Sequence, residues 1–202
     1  MRTLKIGGAT VNQTPLDWKG NTSNIIAAIE HAKSLQVDIL GLPELAITGY
    51  GCEDTFLSNW VSERAWSELE KIRLHCTDIV VCVGLPIRIN TITYNGACVI
   101  DDGKILGISL KQNLARDGVH YEPRWFEAWP SEKVVSIERN NRVIPVGDLV
   151  YEIKGIKIGF EICEDAWRAI RPGTKLKQRG VDLIINPSAS HFAMGRSLLR
   201  EE

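Results

Sequence analysis

One cysteine of this sequence lies among acidic residues. The segment IGFEICEDAW, residues 158–167, places Cys163 between Glu161 on one side and Glu164 and Asp165 on the other. A free thiol has a pKa near ~8.5, and an ionised carboxylate nearby raises that pKa, which disfavours the nucleophilic thiolate. Cys163 is therefore either an inert core cysteine or a nucleophile that other parts of the chain activate.

Two further polar residues resemble Cys163 in coming at the end of a predicted strand. Glu44 follows the run DILGLP, Lys111 follows ILGISL, and Cys163 follows IKIGFEI. Groups at strand ends of layered α/β folds can converge on one pocket even when they are far apart in sequence. A lone glutamate or lysine in such a place is typical of a surface charge, but the three together predict a common site.

The elements that would position these residues alternate between strands and helices in the first half of the chain. Strand-like apolar runs cover residues 4–11 and 38–44, and helical spacing of apolar residues predicts a helix over about 24–35. A second helix is expected over 58–75. The N-cap candidates of the first helix are Asn21, Thr22 and Ser23. The expected buried face of the second helix is Trp60, Ala65, Leu69 and Ile72.

The remaining strands predict two hairpins. The run DIVVCVGLPI is followed by two strands joined at Asp102-Gly103, and DLVYEI pairs with IKIGFEIC around Lys154-Gly155. A helix over 167–178 and a strand in VDLIINPSA complete the order. The stretch 111–130 has no regular period, and such a long irregular segment is more often functional than filler. This mixture predicts an α/β or α+β sandwich with helices outside strand layers.

Composition narrows the classes of function. The chain has 202 residues, 44% hydrophobic and 24% charged, which suits one domain with a sizeable core, and its net charge of −1 argues against nucleic-acid binding. It has no secretory signal and no apolar run near the ~18 residues of a membrane span, so we expect a cytoplasmic protein without membrane attachment. The five cysteines show no C-x-x-C pair and no zinc-ligand spacing, which predicts reduced thiols and no metal site.

Three segments resemble the signatures of the nitrilase superfamily of carbon–nitrogen hydrolases. They are LPELAITGYG around Glu44, SLK at Lys111 and GFEICEDAW around Cys163. More narrowly, PELAITGYGCED, KQNLARDGVHYEPRWFEAWP and NPSASHFAMGR are similar to the glutaminase domains of glutamine-dependent NAD synthetases. The resemblance runs over nearly the whole chain. It implies a nitrilase-like αββα four-layer sandwich, in the α/β (α+β) class.

The resemblance also implies the roles of the three strand-end residues. Glu44 would be the general base, Lys111 the electrophilic helper and Cys163 the nucleophile that attacks the side-chain amide of glutamine. Alternation along an extended strand would keep Glu161 on the face of Cys163, so Lys111 would have to offset two carboxylates near the sulfur. A thiol that is mostly protonated at rest fits this charge balance better than a standing thiolate.

Other expectations carry over from the same resemblance. Tyr50 would close over the substrate, Ser190 and Arg196 would hold the polar end of glutamine, and Glu122 would fix the lysine through a second carboxylate. Residues 1–202 would form one glutaminase domain, in a homo-oligomer, that lacks a C-terminal closing segment and any synthetase domain. No cofactor is expected in this chain, because ATP and deamido-NAD would be used by the separate synthetase domain or subunit that accepts the ammonia.

Three alternatives remain open at this point. The same chemistry could act on another small amide, as in an amidase or carbamoylase of the nitrilase branch. A Cys–His protease or transglutaminase-like enzyme would use His191 or His120 as the base, but it needs a histidine oriented by a third polar group, and no motif supports that. The chain could also be a non-catalytic fragment or scaffold module, whose missing segment leaves an apolar face uncovered.

Overall fold

A computed structural model describes residues 3–117, 120–190 and 194. Its α-helices are α1 (Trp18–Ser34), α2 (Asn59–Ile72), α3 (Glu122–Trp125) and α4 (Pro172–Gln178). Its strands are β1 (Ile6–Gly8), β2 (Ile39–Gly41), β3 (Val80–Ile89), β4 (Ile92–Asp101), β5 (Lys104–Leu110), β6 (Val134–Arg139), β7 (Arg142–Gly147), β8 (Tyr151–Ile153), β9 (Ile156–Phe160) and β10 (Leu183–Ile185). Short 3-10 helices cover Glu53–Leu57, Arg73–His75 and Cys163–Trp167.

The strands of this part of the chain form two sheets. The larger has the order β1-β2-β3-β4-β5-β7-β6, and the smaller has the order β10-β9-β8. In the larger sheet, β1, β2 and β3 run parallel, while β3, β4 and β5 form an antiparallel meander. In the smaller sheet, β9 pairs antiparallel with β8 and parallel with β10.

Alternation along β3 divides the interior into two layers. Val81 and Val83 belong to the core cluster that contains the inward faces of α1 and α2. Val80 and Cys82 point to the opposite face and pack in a second cluster with residues of β8 and β9. On the far side of the smaller sheet, α4 packs against β9. The result is the expected αββα order of layers.

Two expectations for the first half of the chain were wrong. Helix α1 begins at Trp18, and its N-cap is Asp17, whose carboxylate accepts from the backbone N–H of Gly20. Asn21, expected as a cap, is buried and binds the loop before the helix instead. Trp60 is 51% exposed and packs edge-to-face against Trp18, whereas the other three predicted residues of α2 are buried.

The second half contains both predicted hairpins and one that the sequence analysis missed. Strands β4 and β5 join at Asp102-Gly103, and β8 and β9 join at Lys154-Gly155, as predicted. The missed hairpin is β6–β7. The helix expected over 167–178 is shorter, because Arg171 is extended before Pro172 and α4 begins only at that proline. No helix in the described ranges is both long enough and apolar enough to cross a membrane.

Candidate active site

A close backbone approach carries Glu44 into the interior. Glu44 lies three residues after β2, in a loop that crosses the face of β3 at Gly84. A Cβ on Gly84 would lie 2.3 Å from the Leu45 nitrogen and 2.5 Å from the Pro43 oxygen. Glycine is therefore required here so that the loop can hold the Glu44 carboxylate inside the fold.

Lys111 lies between two carboxylates in the protein interior. It directly follows β5, and its Nζ donates to Glu44 Oε1 at 2.7 Å and to Glu122 Oε1 at 2.8 Å. All three side chains are fully buried. Burial alone would lower the pKa of Lys111, but the charges of Glu44 and Glu122 outweigh it and raise that pKa, so the lysine is a cation.

Glu44 receives hydrogen bonds at both of its oxygens. Oε1 accepts from Lys111 and from Asn95 Nδ2 at 2.8 Å, and Oε2 accepts from the Ala189 backbone N–H at 3.1 Å. Burial raises the pKa of Glu44, and Lys111 opposes that rise. A carboxylate whose pKa is raised is a stronger base and is suited to taking and returning a proton.

Glu122 closes the irregular loop that follows Lys111. Its Oε2 accepts from the Ala115 backbone N–H at 2.6 Å, and its own N–H donates to the Ala115 oxygen at 3.2 Å. Its Oε1 also accepts from Asn95 Nδ2 at 3.3 Å. The short helix α3, which begins at Glu122, thus fixes this second carboxylate against the lysine.

Cys163 is held in an unusual backbone conformation at the same site. Its φ is +48°, and its N–H donates to the Pro187 oxygen at 2.9 Å. The sulfur contacts the hydroxyls of Ser188 at 3.3 Å and Ser190 at 3.6 Å. Burial and then the Glu44 charge raise the pKa of the Cys163 thiol, while Lys111 lowers it. The resting group is therefore a protonated thiol.

The acidic neighbours of Cys163 each have partners of their own. Ile162 is still extended, but Cys163 has a left-handed backbone, so the alternation expected to keep Glu161 beside the sulfur breaks at Cys163 and that expectation was wrong. The Glu161 carboxylate accepts from Arg171 at 2.8 and 2.6 Å, so Lys111 does not have to offset it. Glu164 pairs with Arg168 at 3.1 Å.

Asp165 links the cysteine turn to the lysine loop. It is almost fully buried, and it accepts from the backbone N–H groups of Ile162, Gln112 and Asn113. Burial raises the pKa of Asp165 to about 6 in spite of these donors. No local pattern in the sequence indicates this link, because Gln112 and Asn113 lie some fifty positions before Asp165 in the chain.

Two more side chains of the site were missed. Asn95 is a fully buried amide within the largely apolar strand β4, and Ser188 precedes the predicted Ser190 by two positions. A polar residue inside an apolar run is a readable signal, because a buried amide must find hydrogen-bond partners. Ser188, the first serine of NPSAS, offers no comparable signal.

The predicted substrate-binding residues differ in how far the structure places them. Tyr50 is partly buried, its hydroxyl lies 3.2 Å from His120 Nδ1, and burial together with Glu122 and Glu44 raises the pKa of Tyr50. Its ring therefore lies near the two carboxylates. Ser190 contacts the sulfur, as described above. Arg196 lies outside the described residues, as does His191 of the alternative mechanism.

Comparisons with known proteins assign this chain to a family. A glutamine-dependent NAD(+) synthetase of Thermotoga maritima is 34% identical over all of this chain and 33% of its own length. A putative glutamine-dependent NAD(+) synthetase of Schizosaccharomyces pombe is 32% identical over 98% of this chain and 30% of its own. The chain therefore spans about a third of the length of these relatives.

Solved structures give the same result at the level of the fold. The crystal structure of a glutamine-dependent NAD(+) synthetase from Cytophaga hutchinsonii has a TM-score of 0.91 and 51% identity, over 99% of this chain and 33% of that one. A variant amidase from Nesterenkonia sp., with covalent addition at its active-site cysteine, shares the fold at a TM-score of 0.79 and 18% identity, over 96% of this chain and 68% of its own. Residues 5–200 match the sequence profile described as carbon-nitrogen hydrolase, and the chain belongs to that family.

Proposed function

We propose that this chain is the glutaminase part of a glutamine-dependent NAD synthetase, and that it hydrolyses glutamine to glutamate and ammonia. The observation that carries the proposal is the fully buried Lys111 between Glu44 and Glu122, at the site of the Cys163 thiol. The identity of the substrate is supported by relatives that are named for their dependence on glutamine.

The first half-reaction forms a thioester. The Cys163 sulfur attacks the side-chain amide carbon of glutamine while the thiol proton passes to Glu44. The resulting tetrahedral intermediate collapses when Glu44 returns that proton to the amide nitrogen, the carbon–nitrogen bond breaks, and ammonia leaves. A thiol that is protonated at rest suits this sequence, since the proton it loses is the one that the leaving group needs.

Lys111 has the hydrogen-bonding capacity to stabilise the oxyanion. An ammonium group carries three N–H donors, and here one is directed at Glu44 and one at Glu122. In the proposed mechanism the third donates to the oxygen that becomes negative as sulfur attacks the carbonyl. Glu122 acts as the fixed counter-charge that keeps the lysine protonated and oriented.

The second half-reaction hydrolyses the thioester. A water molecule gives a proton to Glu44 and attacks the acyl carbon, the carbon–sulfur bond breaks, and the proton returns to sulfur. Glutamate and the free thiol are the products. In this mechanism Tyr50 covers the bound substrate, and Ser190 and Arg196 hold its polar end, as the family resemblance implies.

The ammonia would be used outside this chain. In the proposed arrangement residues 1–202 form one glutaminase domain, and a synthetase domain or subunit uses ATP and the ammonia to convert deamido-NAD to NAD, which is a ligase reaction. We further propose a cytoplasmic homo-oligomer. Sedimentation of the purified chain tests the last point, and a single species of monomer mass contradicts it.

The substrate is tested by comparing amides. Glutamine is expected to release glutamate faster than butyramide or an N-carbamoyl amino acid releases its own product, at equal concentration. A diazo-ketone analogue of glutamine is expected to label Cys163. Faster turnover of a simple aliphatic amide would support an amidase instead, and an adduct found by mass spectrometry on Cys52 or Cys76 would contradict the proposed pocket.

A further inference from the structure

Asn95 is a buried amide with unequal hydrogen bonding at its two ends. Its Nδ2 donates to Glu44 Oε1 at 2.8 Å and to Glu122 Oε1 at 3.3 Å. Its Oδ1 is buried and has no hydrogen-bond partner among residues 3–117, 120–190 and 194. An unpaired buried acceptor is unfavourable, so the two hydrogen bonds that Nδ2 donates to carboxylates must compensate for it.

The orientation of this amide follows from its neighbours. Reversing it would place Oδ1 against the oxygens of two carboxylates, which would replace two hydrogen bonds to charged acceptors by repulsion. The backbone oxygen of Asn95 also accepts from the N–H of Lys111 at 2.9 Å, which ties the strand to the start of the lysine loop. Asn95 therefore contacts Glu44 and Glu122 through its side chain and Lys111 through its backbone.

The two oxygens of Glu44 differ in their free capacity to accept a proton. Each carboxylate oxygen has two lone-pair sites. Oε1 uses both, for Lys111 and Asn95, whereas Oε2 uses one, for the Ala189 N–H. Ala189 lies between the two serines whose hydroxyls contact the Cys163 sulfur, so Oε2 is the oxygen directed to the segment beside the thiol.

We infer that Asn95 is a positioning residue that occupies Oε1 of Glu44 and so reserves Oε2 for the thiol proton. The inference rests on the proposed function, because it assigns Glu44 the role of base. Without the amide, Oε1 has a vacant lone pair, the carboxylate can turn, and it loses a donor that favours its ionised form.

The charge around Glu44 decides the direction of the effect. The charged and titratable groups near it are Lys111 after β5, Glu122 on α3, Cys163 after β9 and Tyr50 on the same loop as Glu44. Lys111 lowers the pKa of Glu44 and Glu122 raises it. Removing the Asn95 donor therefore raises this pKa further, and the base becomes protonated at a higher pH than in the wild type.

The test uses Asn95→Leu, which has a similar volume and also removes the unpaired oxygen, and Asn95→Ala as a second variant. Asn21→Leu is the matched control, since Asn21 is a similarly buried asparagine whose Nδ2 donates to the backbone oxygens of Thr14 and Ile47 and not to a carboxylate. Two rates are measured against pH: glutamate release, and alkylation of Cys163 by iodoacetamide followed by mass spectrometry. The second rate needs no amide substrate.

Both Asn95 variants are expected to shift the acid limb of both rates to higher pH by about one unit, which lowers the rate at any pH on that limb by roughly tenfold, as one lost hydrogen bond to a charged group predicts. Asn21→Leu is expected to lower the melting temperature without moving either limb. Unshifted limbs in folded Asn95 variants would overturn the inference. A shifted alkylation limb in a protein that does not hydrolyse glutamine would instead overturn the proposed substrate and leave the role of Asn95 standing.

Discussion

Cys163 differs from the other cysteines in its charged neighbours and not in its burial. All five cysteines are free and buried, and burial raises the pKa of each. Only at Cys163 do both Glu44 and Lys111 act on the thiol. A base that can take the proton and a cation that can stabilise the product charge are what distinguish a nucleophile from an inert thiol.

Replacing Cys163 by alanine is expected to abolish glutamate release and to leave the fold intact, because the change removes only the sulfur atom, which contacts two serine hydroxyls. The matched control is Cys82→Ser. It places a hydroxyl in the core between the sheets and is expected to cost about 1–3 kcal/mol of unfolding free energy while the activity remains. Urea unfolding and a glutamate assay measure both effects. A stable but inactive Cys82→Ser protein would reverse the assignment of the two cysteines.

Substitutions at Lys111 and Glu44 are expected to lower activity in both cases but to differ in how much stability they cost. Lys111→Met leaves two buried carboxylates without their cation and is expected to cost about 3–5 kcal/mol of unfolding free energy in addition to most of the activity. Glu44→Gln keeps the pair of Lys111 with Glu122, so it should lower the rate by about 10²–10⁴ with a much smaller loss of stability. Equal losses of stability in the two variants would show that the lysine is not held by both acids.

At the scale of the elements, the fold depends on glycine where the Glu44 loop crosses β3. Gly84→Ala is expected to push the backbone at Pro43 and Leu45 away and to displace Glu44. A shift of about 1 Å at a catalytic group can cost roughly 10²-fold in rate. Gly8→Ala is the control, because a Cβ there meets nothing within 4 Å. Kinetics of both variants test the point, and an active Gly84→Ala protein would show that the loop tolerates the displacement.

The sequence predicts those elements whose signals are local. The hairpin turn Asp102-Gly103 adopts positive φ at both residues, as its sequence indicates. The missed hairpin β6–β7 carries a comparable signal, since Asn140 and Asn141 form its two-residue turn with φ of 51° and 58°. Its alternation of apolar and polar residues in VVSIER was also readable, so this miss was avoidable.

Other features of the site depend on contacts that no local pattern contains. Glu44, Lys111 and Cys163 could be singled out because each comes after an apolar run. The contacts of Asn95 with Glu44 and Glu122, and those of Asp165 with the lysine loop, join residues that are between 27 and 53 positions apart. The left-handed backbone at Cys163, which ends the strand alternation and separates Glu161 from the site chemistry, is likewise set by packing and not by sequence period.

At the scale of the whole molecule, the chain spans about a third of the length of its relatives, and the proposed function divides the reaction accordingly. The purified chain is expected to release glutamate and free ammonia in a 1:1 ratio. Addition of ATP and deamido-NAD should neither change that rate nor lead to consumption of ATP, because the proposed thioester chemistry at Cys163 uses only water. Coupled assays for ammonia and pyrophosphate measure both quantities. Pyrophosphate release by these 202 residues, or ammonia that appears only with ATP, would place part of the synthetase chemistry within this chain.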